Sequence, residues 1–258
     1  MSHKTCLLLA GFLSCNAANA NLRFEEGIAR DPQNLRPLYR EQHWIRLNDM
    51  MPVERLVLYR CMDGTAFARK RVNYLPSAQA PAFEFVDVRR GYLEGLRYKQ
   101  NQAALWYQPP GKVPEKNVLL TVKNLVVDAG FNEFIRINWP KLRAGNALPL
   151  HFAVPTRLQA YKFNLKQTRE SQFAGVAAVT YQLKLSGLWS LLADPIEVTY
   201  EKSTKRLLRF QGLSNLRNDA GQFDLMTQID FTQPVRNAPE EDWQKTISTP
   251  LAACRLNR

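Results

Sequence analysis

Tyr39, Glu41 and His43 alternate along one short run, so an extended chain sets a phenol, a carboxyl and an imidazole on one face. Such a trio can pass protons if its face lines a cleft. On a face open to water the same residues are merely solvated, and that is the expectation here. Asn215, Arg217 and Asp219 form a second polar group, within or beside a turn. The sequence has no Gly-x-Ser-x-Gly elbow, His-Glu-x-x-His pair, Gly-Lys-Ser/Thr phosphate loop or dinucleotide fingerprint. His43 and His151 lie far apart without ligand-spaced neighbours. No catalytic residue, metal or cofactor is assigned, and the chain is not expected to be an enzyme.

The cysteines point to a compartment. Residues 1–20 hold a basic start at His3 and Lys4, an apolar run from Cys6 to Leu13, and the small-x-small site Ala18-Asn19-Ala20. That order predicts a signal peptide cleaved after Ala20 and a periplasmic product. An alternative is a lipoprotein anchored at Cys15, because Leu13-Ser14-Cys15 partly matches an acylation signal. Cleavage at Ala20 leaves Cys61 and Cys254, which in an exported chain read as a disulfide. Closing so long a loop contributes about 5 kcal/mol in the chain-entropy model. No later stretch reaches 18 consecutive apolar residues, so no transmembrane helix is expected.

Period-two runs dominate the body of the chain. They include Leu150-Phe152-Val154, Tyr161-Phe163-Leu165, Val179 through Leu185, Ile196-Val198-Tyr200, and Phe223 through Phe231. Val57, Tyr59 and Cys61 run into the turn dipeptide Asp63-Gly64. One segment instead has helical spacing: Phe131, Phe134, Ile135, Trp139 and Leu142, with Asp128 placed to cap its start and Gly145 its end. Pro140 predicts a kink or restart within it. The fold class is therefore mainly β, a curved antiparallel sheet (half-barrel or barrel) with one packed helix near 128–143. The divisions are a signal peptide (1–20), an N-terminal arm (21–37), a β-rich domain (38–231), and a Pro-punctuated tail (232–258) tied back by the disulfide.

Among 258 residues, 35 basic and 23 acidic side chains give a formal charge of +12, which suggests an anionic partner. Residues 21–129 carry 17 basic and 12 acidic side chains and residues 130–258 carry 17 and 11, so the charge is not concentrated. Nucleic-acid binding, which needs a basic patch on a recognisable module, is not expected. Peripheral contact with anionic lipid is compatible with the charge, with Arg69-Lys70-Arg71 and Arg89-Arg90 as candidate contacts. Solvated strand faces are the simpler explanation of these groups and the expectation here.

Val127-Asp128-Ala129-Gly130-Phe131 through Trp139, Phe152 through Leu158, and Tyr200 through Asp219 resemble uncharacterised exported proteins of Gram-negative bacteria. The pattern after Gly175 is more distantly similar to β-half-barrel envelope proteins such as the lipoprotein carriers. The resemblance implies a curved sheet with an apolar concave face and transfers no functional residue.

These readings converge on a non-enzymatic binder of a lipid or other apolar or amphipathic envelope molecule. Trp106, Phe134, Trp139, Phe163, Leu188 and Trp189 are the expected contacts, lining a cavity of several hundred cubic ångströms on the order usual for ligand sites. Alternatives are a scaffold recognising another envelope protein and, third, a hydrolase with an unrecognised site. A buried polar cluster inside a cleft would favour the hydrolase.

Overall fold

Hairpins joined by tight turns zip neighbour to neighbour, and here the zipping runs through nearly the whole chain. The computed structural model describes residues 21–111, 114–187, 194–222 and 225–256. Expectations for the signal peptide and for Leu188 and Trp189 lie outside those residues. Strands β1 (Asn21–Arg30), β2 (Pro37–Asn48), β3 (Met51–Cys61) and β4 (Ala66–Asn73) begin an antiparallel meander. It continues through β5 (Ala82–Asp87), β6 (Tyr92–Lys99), β7 (Gln102–Gln108) and β8 (Lys116–Leu119). A second series holds β9 (Leu125–Val126), β10 (Leu148–Val154), β11 (Gln159–Phe173), β12 (Val176–Leu185), β13 (Ile196–Glu201), β14 (Leu207–Leu213) and β15 (Met226–Asp230).

β15 returns to pair with β1, Ile28 opposite Asp230, so both series are one sheet that begins at β8 and ends at β9. Among the described residues every pair is antiparallel except β9–β10, and the two ends are not hydrogen-bonded to each other. A 3-10 turn after β10, η1 (Pro155–Arg157), packs instead against β6 and β7. The sheet therefore curls until Ala153 and Leu158 join the same core as Leu96 and Leu105. A mainly β, curved, open barrel is what the periodicity implies.

The expected single helix is two. α1 (Gly130–Ile137) puts Phe131, Phe134 and Ile135 on one side, and α2 (Trp139–Arg143) adds Trp139 and Leu142. Pro140 sits in the first turn of α2, where its missing N–H costs nothing. Both helices bury these residues on Leu150, Leu165, Val179, Tyr181, Val198 and Tyr200, the inner face of β10–β13. The barrel is thus filled from within by its own helices.

Two boundaries differ from expectation. The segment read as an arm is β1, in the middle of the sheet. Its inner-facing residues are Glu25, Gly27 and Ala29, all buried, so burial alternates where hydropathy does not. The tail contains β16 (Arg236–Asn237), paired with β1, and α3 (Glu240–Ser248). Pro239 precedes three acidic residues in the first turn of α3, where the helix dipole favours them. Trp243 packs on Leu22, Trp44, Leu56 and Leu58, the outer face of β1–β3. Beyond α3, Ala252 N donates to Ala66 O (2.8 Å). The Cys61–Cys254 disulfide, with Cα atoms 6.5 Å apart, then closes the tail onto β3.

Candidate functional site

Register carries a row of buried acids and bases to the inner face: Glu25 on β1, Glu41 and His43 on β2, Arg55 on β3, Lys70 on β4, Asp87 on β5 and Glu94 on β6. Glu41 and His43, expected on a solvated face, are buried with Tyr39, because the curled sheet closes over β2. Arg55 Nη1 donates to His43 Nδ1 (3.3 Å), which leaves Nε2 as the N–H facing Glu41 Oε2 (3.0 Å). The His43 ring meets the edge of Phe231 at 5.4 Å. Gly27 makes that possible, since a Cβ there would sit 2.7 Å from the Phe231 ring.

A second knot joins the sheet to α1. Lys70 Nζ donates to Asp128 Oδ2 (2.6 Å), and Asn215 Nδ2 donates both to that oxygen (3.0 Å) and to Glu94 Oε1 (3.2 Å). Tyr92 Oη donates to the Asn215 carbonyl (2.5 Å). Asp128 is therefore an anchor rather than a helix cap, and Ala129 occupies the N-cap position. Burial pushes the Glu94 carboxyl up to about 7, opposed by the Asn215 hydrogen bond and Lys70. Burial also raises the Tyr39, Tyr59 and Tyr92 phenols well above 10.

Acid-base groups are therefore present, but they sit in packed core: Glu94 is 2% exposed, and both side chains of the Lys70–Asp128 pair are under 10%. Lys70 and Asp128 pair with each other and Glu94 accepts from Asn215, which offsets the cost of burying them. What this arrangement does is hold α1 and the Asn215 loop against β4 and β6. Arg89 is likewise drawn inward, to Asp87 Oδ2 (2.7 Å) and to Asp219 (3.4 Å). It and Lys70 are thus not the solvated strand-face residues expected from the sequence.

An open groove of about 420 Å³ lies on the other face. Leu56 of β3, Trp106 of β7, and Trp243 and Ile247 of α3 give it apolar surface; Glu54, Arg71, Glu84 and Arg97 give it charge. Trp106 packs against Gly95, where a Cβ would come within 2.8 Å of the indole and 2.1 Å of the Phe83 carbonyl oxygen. Arg97 covers that ring at 5.7 Å, and Arg46 covers Trp243 at 4.3 Å while reaching Glu240 (2.6 Å). The Arg69 guanidinium bonds the Thr249 carbonyl, fixing the end of α3 beside the groove.

The expected ligand contacts divide between the two faces. Phe134 and Trp139 pack with Phe163 in the inner core, Trp139 lying 5.6 Å from the Tyr181 ring. Trp106 is in the outer groove, and Leu188 and Trp189 are not among the described residues. Sequence reasoning places Lys70 on the wrong face and misses Glu94 and Arg55 inside and Trp243 and Ile247 outside. A signal existed for both sets. Ala68, Lys70 and Val72 alternate, as do Tyr92, Glu94 and Leu96, while Trp243 and Ile247 have i, i+4 spacing after a Pro and three acids.

Among the described residues there is no group of three or more His, Cys, Asp or Glu suited to a metal ion, and no helix long and apolar enough to cross a membrane. No family model and no curated protein matches the chain. Among solved structures, it is similar to a β-barrel-like protein of the domain of unknown function DUF1849 from Brucella abortus, with 5% identity and a TM-score of 0.42. That match covers 85% of this chain and 98% of the other.

Proposed function

We propose that this protein is an exported, non-enzymatic binder of an apolar or amphipathic envelope molecule, which it takes in the outer groove between Trp106 and α3. The observation that carries the reading is the contrast in filling. α1 and α2 occupy the barrel interior, whereas the groove stays open beside two tryptophans. Its volume is within the range of small-molecule sites, and its aromatic floor with a charged border suits a molecule having one apolar and one polar part. The Cys61–Cys254 bond supports export, because such bonds persist in oxidising compartments. Native mass spectrometry of protein purified from the envelope without detergent tests this. A lipid-sized adduct that disappears in Glu84→Trp, which fills the groove, is expected. Absence of an adduct, together with no uptake of a fluorescent fatty acid, would overturn it.

A second reading is a scaffold for another envelope protein. It is favoured by β8, an end strand with one edge unpaired in the sheet. Crosslinking in cells that captures a single protein through β8, with no small-molecule adduct, would favour it over the first.

A further inference from the structure

Nine large hydrophobic side chains are exposed among the described residues. Single exposed apolar residues are ordinary, but their concentration in one place is not. Strand register shows where these nine lie. The β2–β3 turn follows the Asn48–Met51 pair, the β4–β5 loop the Asn73–Ala82 pair, and the β6–β7 turn the Lys99–Gln102 pair. Leu119, paired with Ala104, leads β8 out at the same end of the sheet. Met50, Met51, Leu75, Leu119 and Val122 therefore share one rim, with Leu75 76% and Met50 66% exposed. Ile137 of α1 joins them across a hollow of about 410 Å³ that it lines with Ser77, Ala78 and Asn124. Six of the nine exposed apolar residues thus crowd a single rim, whereas Leu35 and Met62 lie in turns at the opposite end.

We propose that this rim docks on an anionic lipid surface. The charge around the rim selects a membrane as the partner. Lys99, Lys123 and Arg23 stand at the rim, and Asp49 is the one acid in its loops 49–50, 74–81, 100–101 and 120–124. Such a mixture of protruding apolar residues and flanking cations suits insertion among acidic head groups. Asn73 and Ala82, which flank the Leu75 loop, also border the outer groove, so the groove opens towards the docked membrane.

Hydrogen–deuterium exchange tests this on the protein as purified, with vesicles of phosphatidylglycerol and phosphatidylcholine. Loops 49–50, 74–81 and 120–124 are expected to gain protection, and the Leu35 and Met62 turns are not. Flotation of the Leu75→Ser/Val122→Ser/Ile137→Ser variant should show about tenfold weaker vesicle binding, with Leu213→Ser unchanged. All four positions are exposed, so folding should be retained. Protection at the opposite end, no protection anywhere, or wild-type flotation by the triple variant would overturn the proposal. Equal protection by pure phosphatidylcholine would overturn the anionic assignment. Glu84→Trp should leave vesicle binding intact, which separates this outcome from the fate of the groove reading.

Discussion

On β4, three consecutive basic residues meet three different fates. Lys70 points inward and is paired with Asp128 beneath the Tyr59 and Phe85 rings. Arg69 and Arg71 point outward, one tying down the tail and the other bordering the groove. The same division runs across β3–β7. Their inner side buries Arg55 beside His43, Lys70 against Asp128 and Glu94 against Asn215, and their outer side sets Trp106, 7% exposed, at the floor of an open groove. Buried charge inside serves to position α1 and the Asn215 loop, because any mismatch there costs several kcal/mol. Outside, Trp106 and Trp243 each keep only 7% of their surface exposed, at the floor of the groove, where that remaining surface can meet a ligand. Inner-face substitutions should therefore change stability without changing affinity, and outer-groove substitutions should do the reverse.

The largest expected effect is at the inner pair. Lys70→Met strands the Asp128 carboxylate in the core and should cost about 3–5 kcal/mol in urea unfolding. The folded fraction should still bind a fluorescent fatty acid with wild-type affinity. A variant that kept its stability but lost binding would move the site inward and break the comparison.

Next comes the pH dependence. Glu94 is raised from 4.5 to about 7, so the folded chain holds this proton more tightly than the unfolded one. Its stabilising contribution is complete below 4.5 and is lost as pH rises through 7. Glu94→Gln should abolish a fall on the order of 2–3 kcal/mol between those limits. Matching pH slopes for the variant and wild type in calorimetry would show that the carboxyl is not held neutral by burial.

The smallest energetic effect belongs to the groove. Glu84 is exposed, so Glu84→Trp should alter stability by no more than about 0.5 kcal/mol. Ligand affinity should nevertheless fall about tenfold, as titration of a fluorescent fatty acid would show, because the indole occupies the groove. An unchanged affinity would place binding elsewhere.

Strand alternation made most of the sheet legible, because Val179–Leu185 or Ile196–Tyr200 shows its buried face directly as hydropathy. β1 was hidden for a physical reason. A curled sheet needs small residues where the Phe231 ring crosses, and it accepts Glu25 where its interior is polar, so the inward positions carry no apolar mark. The inner cluster was hidden similarly. Lys70 reads as part of a solvated basic triplet until register shows Val57 and Phe85 on either side of it. The helical spacing of Trp243 and Ile247 is legible, but the groove is not, since it depends on α3 returning across the chain to strands far away in sequence. Trp106 was recognised as a contact candidate, but alternation alone does not say which face of a barrel stays open.

Photocrosslinking of the wild-type protein with a diazirine-bearing fatty acid, followed by peptide mapping, would locate the bound ligand. Adducts on the peptides that carry Glu84, Trp106 and Trp243 are the expected result. Adducts on Phe134, Trp139 or Phe163 would contradict it, because they would show the ligand displacing the helices that fill the barrel.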